Sequence, residues 1–163
     1  MMSTRWVFGL ASALILSGCN AAPPSGAREA DTGKVKAEVI ALAHARIAAL
    51  NAHDADRNVS ADLPDIVAMF HGAPNDVGVS ADLASARAMT ADPLLHVDLG
   101  AETVDVGGPD FAVYHATYHL TLTDPKTKAP AHEHGNLLIG FKRQSDGALK
   151  VAWEVVSDTP APK

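Results

Sequence analysis

The chain has 163 residues, 47 % of them hydrophobic, and a formal net charge of −6 at pH 7. This length suits one domain with a real core, and the acidic balance argues against nucleic acid and against electrostatic docking on anionic lipid. The single cysteine excludes an internal disulfide, so we expect the stability of the folded part to come from its core alone.

Residues 1–18 have the pattern of a secretory signal peptide. Arg5 gives a positive start, and residues 6–16 form an apolar stretch too short to span a bilayer as a stable helix. The segment Leu16-Ser17-Gly18-Cys19 then resembles the lipobox of bacterial lipoproteins. An ordinary secretory signal with a chance cysteine is the alternative, and a retained membrane helix is a third interpretation that the short apolar run and the following Asn20 disfavour.

The lipobox resemblance implies how the protein is placed in the cell envelope. In that family the signal is cut before the cysteine, and the thiol and new amino terminus are acylated. The expected mature chain is therefore Cys19–Lys163, held at the membrane by acyl chains on Cys19. Asn20 stands where aspartate tends to mark inner-membrane retention, which favours the outer membrane with the domain facing the periplasm.

Residues 19–33 are rich in small residues, proline and mixed charge, which predicts a flexible tether. The helix predicted next spans Lys34–His53, with Thr32 as a plausible N-cap. Its apolar stripe consists of Val35, Val39, Leu42, Ala43, Ile47 and Leu50. Lys36, His44 and Arg46 are expected to lie mostly off that stripe.

A compact apolar run, Ile66–His71, predicts the first strand, and residues 72–76 have turn chemistry. Ser80 is the expected cap of a second helix over Ala81–Thr90. From Leu94 onward the pattern is that of β-structure, with long strands over Phe111–Thr123, His132–Arg143 and Leu149–Val156 joined by short turns. Helices first and strands later predict an α+β domain over residues 34–158, with helices packed on one face of a curved antiparallel sheet and a disordered tail over 159–163.

Four stretches resemble the SnoaL-like superfamily, whose fold is also called nuclear transport factor 2-like or ketosteroid isomerase-like. The stretches are Phe70–Gly78, Ala91–Pro93, Tyr114–Pro125, and Gly135–Phe141 continued by Gly147–Val151, with Ser157-Asp158 as the exit. Their order and spacing cover nearly all of the mature domain. The resemblance implies a cone with an open mouth whose interior binds ligands or performs chemistry.

The residues that the family's isomerases use are not in their places. A ketosteroid-isomerase mechanism needs a carboxylate base and an oxyanion hole of acidic hydroxyl donors. At the base position the chain reads Met69-Phe70-His71, where His71 is the only ionisable group. The predicted first helix contains no tyrosine, and Leu137 falls near the place of the second oxyanion acid.

Other groups are candidates for acid–base work. Alternation along the strand 111–123 places Tyr114 and Tyr118 on the inner face of the sheet. There they are either core aromatics or hydrogen-bonding groups in the wall of the cone. The orientation of Glu154 stays open. Alternation along the last strand turns Trp153 inward, whereas hairpin comparison with the isomerases turns Glu154 inward. If Glu154 faces the cone, burial raises its pKa and makes it the best acid–base candidate. An isomerase, cyclase or dehydratase would use His71 or Glu154 as base and Tyr118 as donor.

The leading hypothesis is a lipid-anchored domain whose cone binds a small, mostly apolar molecule. The lining expected for that cone consists of Met69, Tyr114, Tyr118, Leu137, Ile139 and Trp153. The sequence contains no phosphate loop, nucleotide fingerprint, nucleophile elbow or metal signature, so no cofactor and no metal site are predicted.

The outer face of the predicted sheet carries several histidines. His115, Thr117, His119, His132 and His134 share it if the two strands pair in the expected register. A polar, solvated face is the expected interpretation, with zinc or copper binding as the alternative. Because sheets of this family often pair across their convex faces, this surface is also a candidate for a pH-sensitive homodimer.

Overall fold

The computed structural model of the protein describes residues 25–159. The predicted signal peptide, Cys19, the first part of the tether and residues 160–163 lie outside them, so acylation and the envelope location stay predictions. In the described part of the chain, no helix combines the length and the apolar character needed to cross a bilayer.

Three helices precede or interrupt the early strands: α1 (Ser25–Asn51), α2 (Ala55–Asn58) and α3 (Val79–Thr90). The start predicted for α1 is wrong, because residues 25–33 continue the helix instead of forming a tether, and Thr32 lies inside α1. Helix α3 begins two residues earlier than predicted. Its N-cap is Gly78 rather than Ser80, and the φ of +86° at Gly78 is one that glycine adopts without strain.

Six strands form one sheet. They are β1 (Asp62–Phe70), β2 (Asp76–Val77), β3 (His96–Gly108), β4 (Phe111–Thr123), β5 (Pro130–Arg143) and β6 (Leu149–Asp158), in the order β2-β1-β6-β5-β4-β3. The predicted meander is confirmed, since β4, β5 and β6 pair antiparallel in chain order. Strand β1 pairs parallel to β6, which places the first long strand beside the last.

The core lies between α1 and the concave face of the sheet. Val35, Val39, Ala43 and Ile47 of α1 are buried against alternate residues of β4 and β5, including Tyr114, Ala116, Leu137, Ile139 and Phe141. Burial of each large apolar side chain contributes about 1.5–3 kcal/mol, so this layer supplies most of the drive to fold. The predicted α+β class, with helices on one face of a curved sheet, is confirmed.

Candidate functional site

A cavity lies between the helices and the concave face of the sheet. Its larger part has a volume of about 80 Å³ and is lined by Ile47, Leu50, Phe70, Met89, Val97, Tyr118, Leu120, Leu137, Glu154 and Val156. A smaller part of about 40 Å³ shares six of these residues and adds the polar side chains of Arg46, Asn58, Asp82 and Ser85. The cavity therefore has an apolar body and a polar end, and Glu154 borders both.

Arg46 of α1 is buried at the polar end, with 6 % of its surface exposed. Its guanidinium donates to Glu154 Oε2 from Nε (2.8 Å), to Asp62 Oδ1 from Nη1 (2.6 Å) and to Asp82 Oδ2 from Nη2 (3.0 Å). Nη1 also donates to the backbone carbonyl oxygen of Asn58 at 2.9 Å. We call Arg46, Asp62, Asp82 and Glu154 the Arg46 cluster; it joins α1, β1, α3 and β6.

Burial makes the charges of the Arg46 cluster interdependent. Burial raises the pKa of Asp62 to about 8, with Arg46 opposing the rise and Asp82 and Glu154 adding to it. Burial also raises the pKa of Glu154, again against Arg46. For Arg46, burial alone would lower the pKa, but the three carboxylates outweigh it and the pKa is raised. Arg46 therefore stays charged, while the folded protein holds a proton on Asp62 to a much higher pH than an exposed aspartate would.

One carboxylate oxygen marks where a proton would reside. Asp62 Oδ2 is buried with no hydrogen-bond partner among the described residues, and the Asp62 side chain is 0 % exposed. An ionised, unpartnered oxygen at such a place is unfavourable, whereas a protonated one can donate. The Asp82 carboxyl is close enough to receive that hydrogen bond, and the interaction helps to raise the pKa of Asp62.

The orientation of Glu154, left open by the sequence, is decided by a β-bulge. The consecutive residues Gly140 and Phe141 of β5 pair with Trp153 and Val151 of β6, so Ala152 is an extra residue in β6. A bulge reverses the alternation beyond it. Val151 and Glu154 therefore both point inward, while the Trp153 indole lies over Gly140 on the outer face.

Two of the six residues predicted to line the cone do so, namely Tyr118 and Leu137. Tyr114 and Ile139 are fully buried in the core and border neither part of the cavity. Met69 borders neither part of the cavity, because it alternates along β1 with Phe70, which borders both. The inward placement expected for Trp153 is wrong because of the bulge.

The two tyrosine hydroxyls are held by carboxylates. Tyr118 Oη donates to Asp158 Oδ1 at 2.8 Å, and Tyr114 Oη donates to Glu102 Oε2 at 2.6 Å. Burial and these acceptors raise the pKa of both phenols. The interior face of Tyr118 is therefore mainly its ring, since its hydroxyl is engaged at the end of β6.

His71 does not reach the cavity. Strand β1 ends at Phe70, so His71 occupies the exposed turn that follows, and it lines neither part. The prediction that His71 could act as a base at the interior therefore loses its geometric basis. Of the two predicted bases, His71 and Glu154, it is Glu154 that the fold brings to the cavity.

The histidines of the outer face meet as the expected register requires. His119 pairs with His134, with ring centroids 5.7 Å apart, and His132 pairs with Thr121. His115 instead faces Leu138. Over residues 25–159, no three His, Cys, Asp or Glu side chains gather in a way that could hold a metal ion. The homodimer through this face stays a prediction.

Sequence reasoning missed three members of the Arg46 cluster. Arg46 lies three residues after Ala43 and four before Leu50, which is the spacing of the buried helix face. Asp82 precedes the buried Ala86 by four residues in the same way. A charged residue at a core position of each helix was the available signal, since buried charges are paired.

No protein-family model and no curated protein match this sequence. Among solved structures, the chain is similar to a nuclear transport factor 2 (NTF2-like) superfamily protein from Salmonella enterica serovar Typhimurium. That match has a TM-score of 0.71 and 14 % identity, and it covers 81 % of this chain and 96 % of the other.

Two further solved structures match the same fold. A ketosteroid isomerase-like protein from Erwinia carotovora matches with a TM-score of 0.66 and 18 % identity, over 77 % of this chain and 96 % of that one. An NTF2-like protein of unknown function from Pseudomonas putida matches with a TM-score of 0.65 and 22 % identity, over 77 % and 87 %. Identities this low show a shared fold, and the activity has to be argued from the site.

Proposed function

We propose that this NTF2-like domain binds a small, mostly apolar molecule inside its cone. The observation that carries the proposal is the apolar part of the cavity, about 80 Å³ in volume, which is walled by aliphatic and aromatic side chains and is continuous with a polar end. Pockets of this composition gain affinity from apolar burial and take their specificity from a few polar groups. Here Glu154 and Arg46 are those groups.

The lining residues come from elements that hold one another firmly. Ile47 and Leu50 lie on α1, Met89 on α3, and Leu120 and Leu137 on the long strands β4 and β5. Because these elements share the main core, the cavity is preformed rather than assembled around a ligand. A preformed apolar site avoids most of the ordering that weakens binding.

The proposal predicts that 1-hexanol, used as a slender apolar probe, raises the melting temperature of the full chain. It should also shift the amide resonances of Ile47, Val97 and Leu137 in an NMR titration, since a ligand that binds only the folded state stabilises it. Leu120→Trp places a large ring in the cavity and should abolish both effects. The matched variant Leu138→Trp alters the neighbouring strand at a half-buried position outside the lining and should bind as the native chain does. Equal binding by both variants would refute a cavity site.

A second candidate is proton transfer catalysed by Glu154. The observation that favours it is a buried carboxyl of raised pKa, bordering the apolar cavity and held on one oxygen by Arg46. A raised pKa is what lets a carboxyl exchange protons with a weakly acidic carbon near neutral pH.

Exchange of the α-protons of cyclohexanone in deuterated water, followed by NMR, tests this candidate. The full chain should accelerate exchange over buffer, and Glu154→Gln should return the rate to the buffer value. Glu133→Gln is the matched control, because it removes an exposed carboxylate of β5 that does not itself line the cavity. No acceleration by the native chain, or equal rates in the Glu154 variant, would exclude proton abstraction by this residue.

A further inference from the structure

The polar end of the cavity holds more negative than positive groups. Arg46 from α1 faces Asp62 from β1, Asp82 from α3 and Glu154 from β6, so one guanidinium meets three carboxylates. Among the described residues that border either part of the cavity, Arg46 is the only cation. With every carboxyl ionised the Arg46 cluster has a net charge of −2, and it stays negative with one proton bound.

Glu154 offers an acceptor that the protein itself leaves open. Its Oε2 accepts from Arg46 Nε, while its Oε1 makes no hydrogen bond to any described residue. The residue is 8 % exposed and borders both the apolar body and the polar end. This oxygen is not among the fully buried ones that lack a partner, so it is accessible from the cavity and can accept a hydrogen bond from a donor that enters there.

A neutral hydroxyl could satisfy this oxygen, but only a cation would also offset the excess negative charge. An anionic ligand would add to that charge in a site of low polarisability. Charge-assisted hydrogen bonds to carboxylates are about twice as strong as neutral ones. The cavity walls around Glu154 are apolar and include Leu50 and Val156. The rest of such a ligand must therefore be apolar as well.

From this arrangement we infer that the ligand of the cone is an apolar amine, whose ammonium group binds Glu154 while its hydrocarbon part fills the cavity. This inference rests on the proposed binding function and gives that ligand its chemical class. The Arg46 guanidinium fixes the carboxylate in place through Nε. Asp82 adds negative charge, and Asp62 adds more once it has lost its proton. The ammonium adds the positive charge that these three carboxylates lack.

Three probes of equal length separate the inference from the proposed function: hexylamine, 1-hexanol and hexanoate. Dissociation constants are measured by NMR titration of the full chain at pH 8, where an alkylamine remains protonated. We expect hexylamine to bind about tenfold more tightly than 1-hexanol, and hexanoate to bind more weakly than either. Equal affinities of hexylamine and 1-hexanol would overturn the amine inference and leave the apolar-ligand proposal intact. Binding of none of the three would overturn both.

Glu154→Gln should bring the hexylamine to 1-hexanol affinity ratio to about one, because the amide carries no charge to pair with the ammonium. Glu133→Gln removes an equal charge from an exposed position opposite Leu120 and should keep the native ratio. A ratio lost equally in both variants would indicate general charge attraction and refute direct contact with Glu154.

A pH series on the native chain tests the inference without any substitution. The groups that face Glu154 are Arg46, Asp62 and Asp82, together with Tyr118 across the cavity. An ammonium competes with the protons that Asp62 and Glu154 hold, so hexylamine affinity should rise from pH 6 to pH 8.5 while 1-hexanol affinity stays level. Parallel curves for the two probes would contradict the inference.

Discussion

Replacing Arg46 with methionine is expected to lower the free energy of unfolding by about 3–5 kcal/mol, the range found when one partner of a buried ion pair is removed. Arg46 donates to Asp62, Asp82 and Glu154, and each of these carboxyls is at most 10 % exposed. Without the guanidinium they lose the hydrogen bonds that Arg46 donates and the cation that all three share. The measurement is urea unfolding at pH 7, followed by circular dichroism and extrapolated to water.

Arg87→Met is the matched control for this substitution. Arg87 contacts Asp56 at 3.0 Å, but the two side chains are 60 % and 72 % exposed, and such pairs contribute about 0–1 kcal/mol. Adding Asp82→Asn and Glu154→Gln to the Arg46 variant should recover part of the lost free energy of unfolding, since two of the three unpaired carboxylates are then removed. An Arg46→Met protein as stable as the Arg87→Met protein would show that the Arg46 cluster contributes little to folding.

The second large expected effect is a fall in stability as pH rises from about 5 to about 9. Burial raises the pKa of Asp62 from 3.8 to about 8 in the folded state, and burial also raises the pKa of Glu154. Between the unfolded and folded values the folded protein binds more protons than the unfolded chain. Stability is therefore greatest with Asp62 protonated and declines as pH passes through this window.

Asp62→Asn isolates this effect, because asparagine mimics the protonated acid and cannot titrate. The variant should lose less stability than the native chain between pH 5 and pH 9, measured by urea unfolding at each pH. The pKa values of Asp92, Glu102 and Asp124 are lowered by hydrogen bonds, so their contribution is lost only at acid pH, below this window. Identical pH profiles for the two proteins would rule out a titrating Asp62.

Most of the fold could be predicted because its signals are local or periodic. The stripe from Val35 to Leu50 identified α1, and the alternation along β4 placed Tyr114 and Tyr118 on the inner face. Short turns between long strands required the antiparallel meander. The start of α1 could not be found in this way, since residues 25–33 carry no apolar stripe and nevertheless continue the helix.

The candidate site was harder to predict because it depends on contacts between distant parts of the chain. Arg46 and Glu154 are 108 residues apart and meet only because β6 lies next to β1. The direction of Glu154 depends on one extra residue, Ala152, whose effect shows only in the pairing with β5. A strict alternation rule gives the opposite orientation and places Trp153 in the interior.

The parallel pairing of β1 with β6 has a consequence for biosynthesis. Strand β1 lacks its long neighbour, and Arg46 lacks Glu154, until the last ten-residue strand has been made. A ribosome-bound chain that stops short of β6 has an incomplete sheet, and its Arg46 still lacks the carboxylate of Glu154. Such long-range closure delays folding until synthesis ends, so the nascent polypeptide stays accessible to chaperones until then.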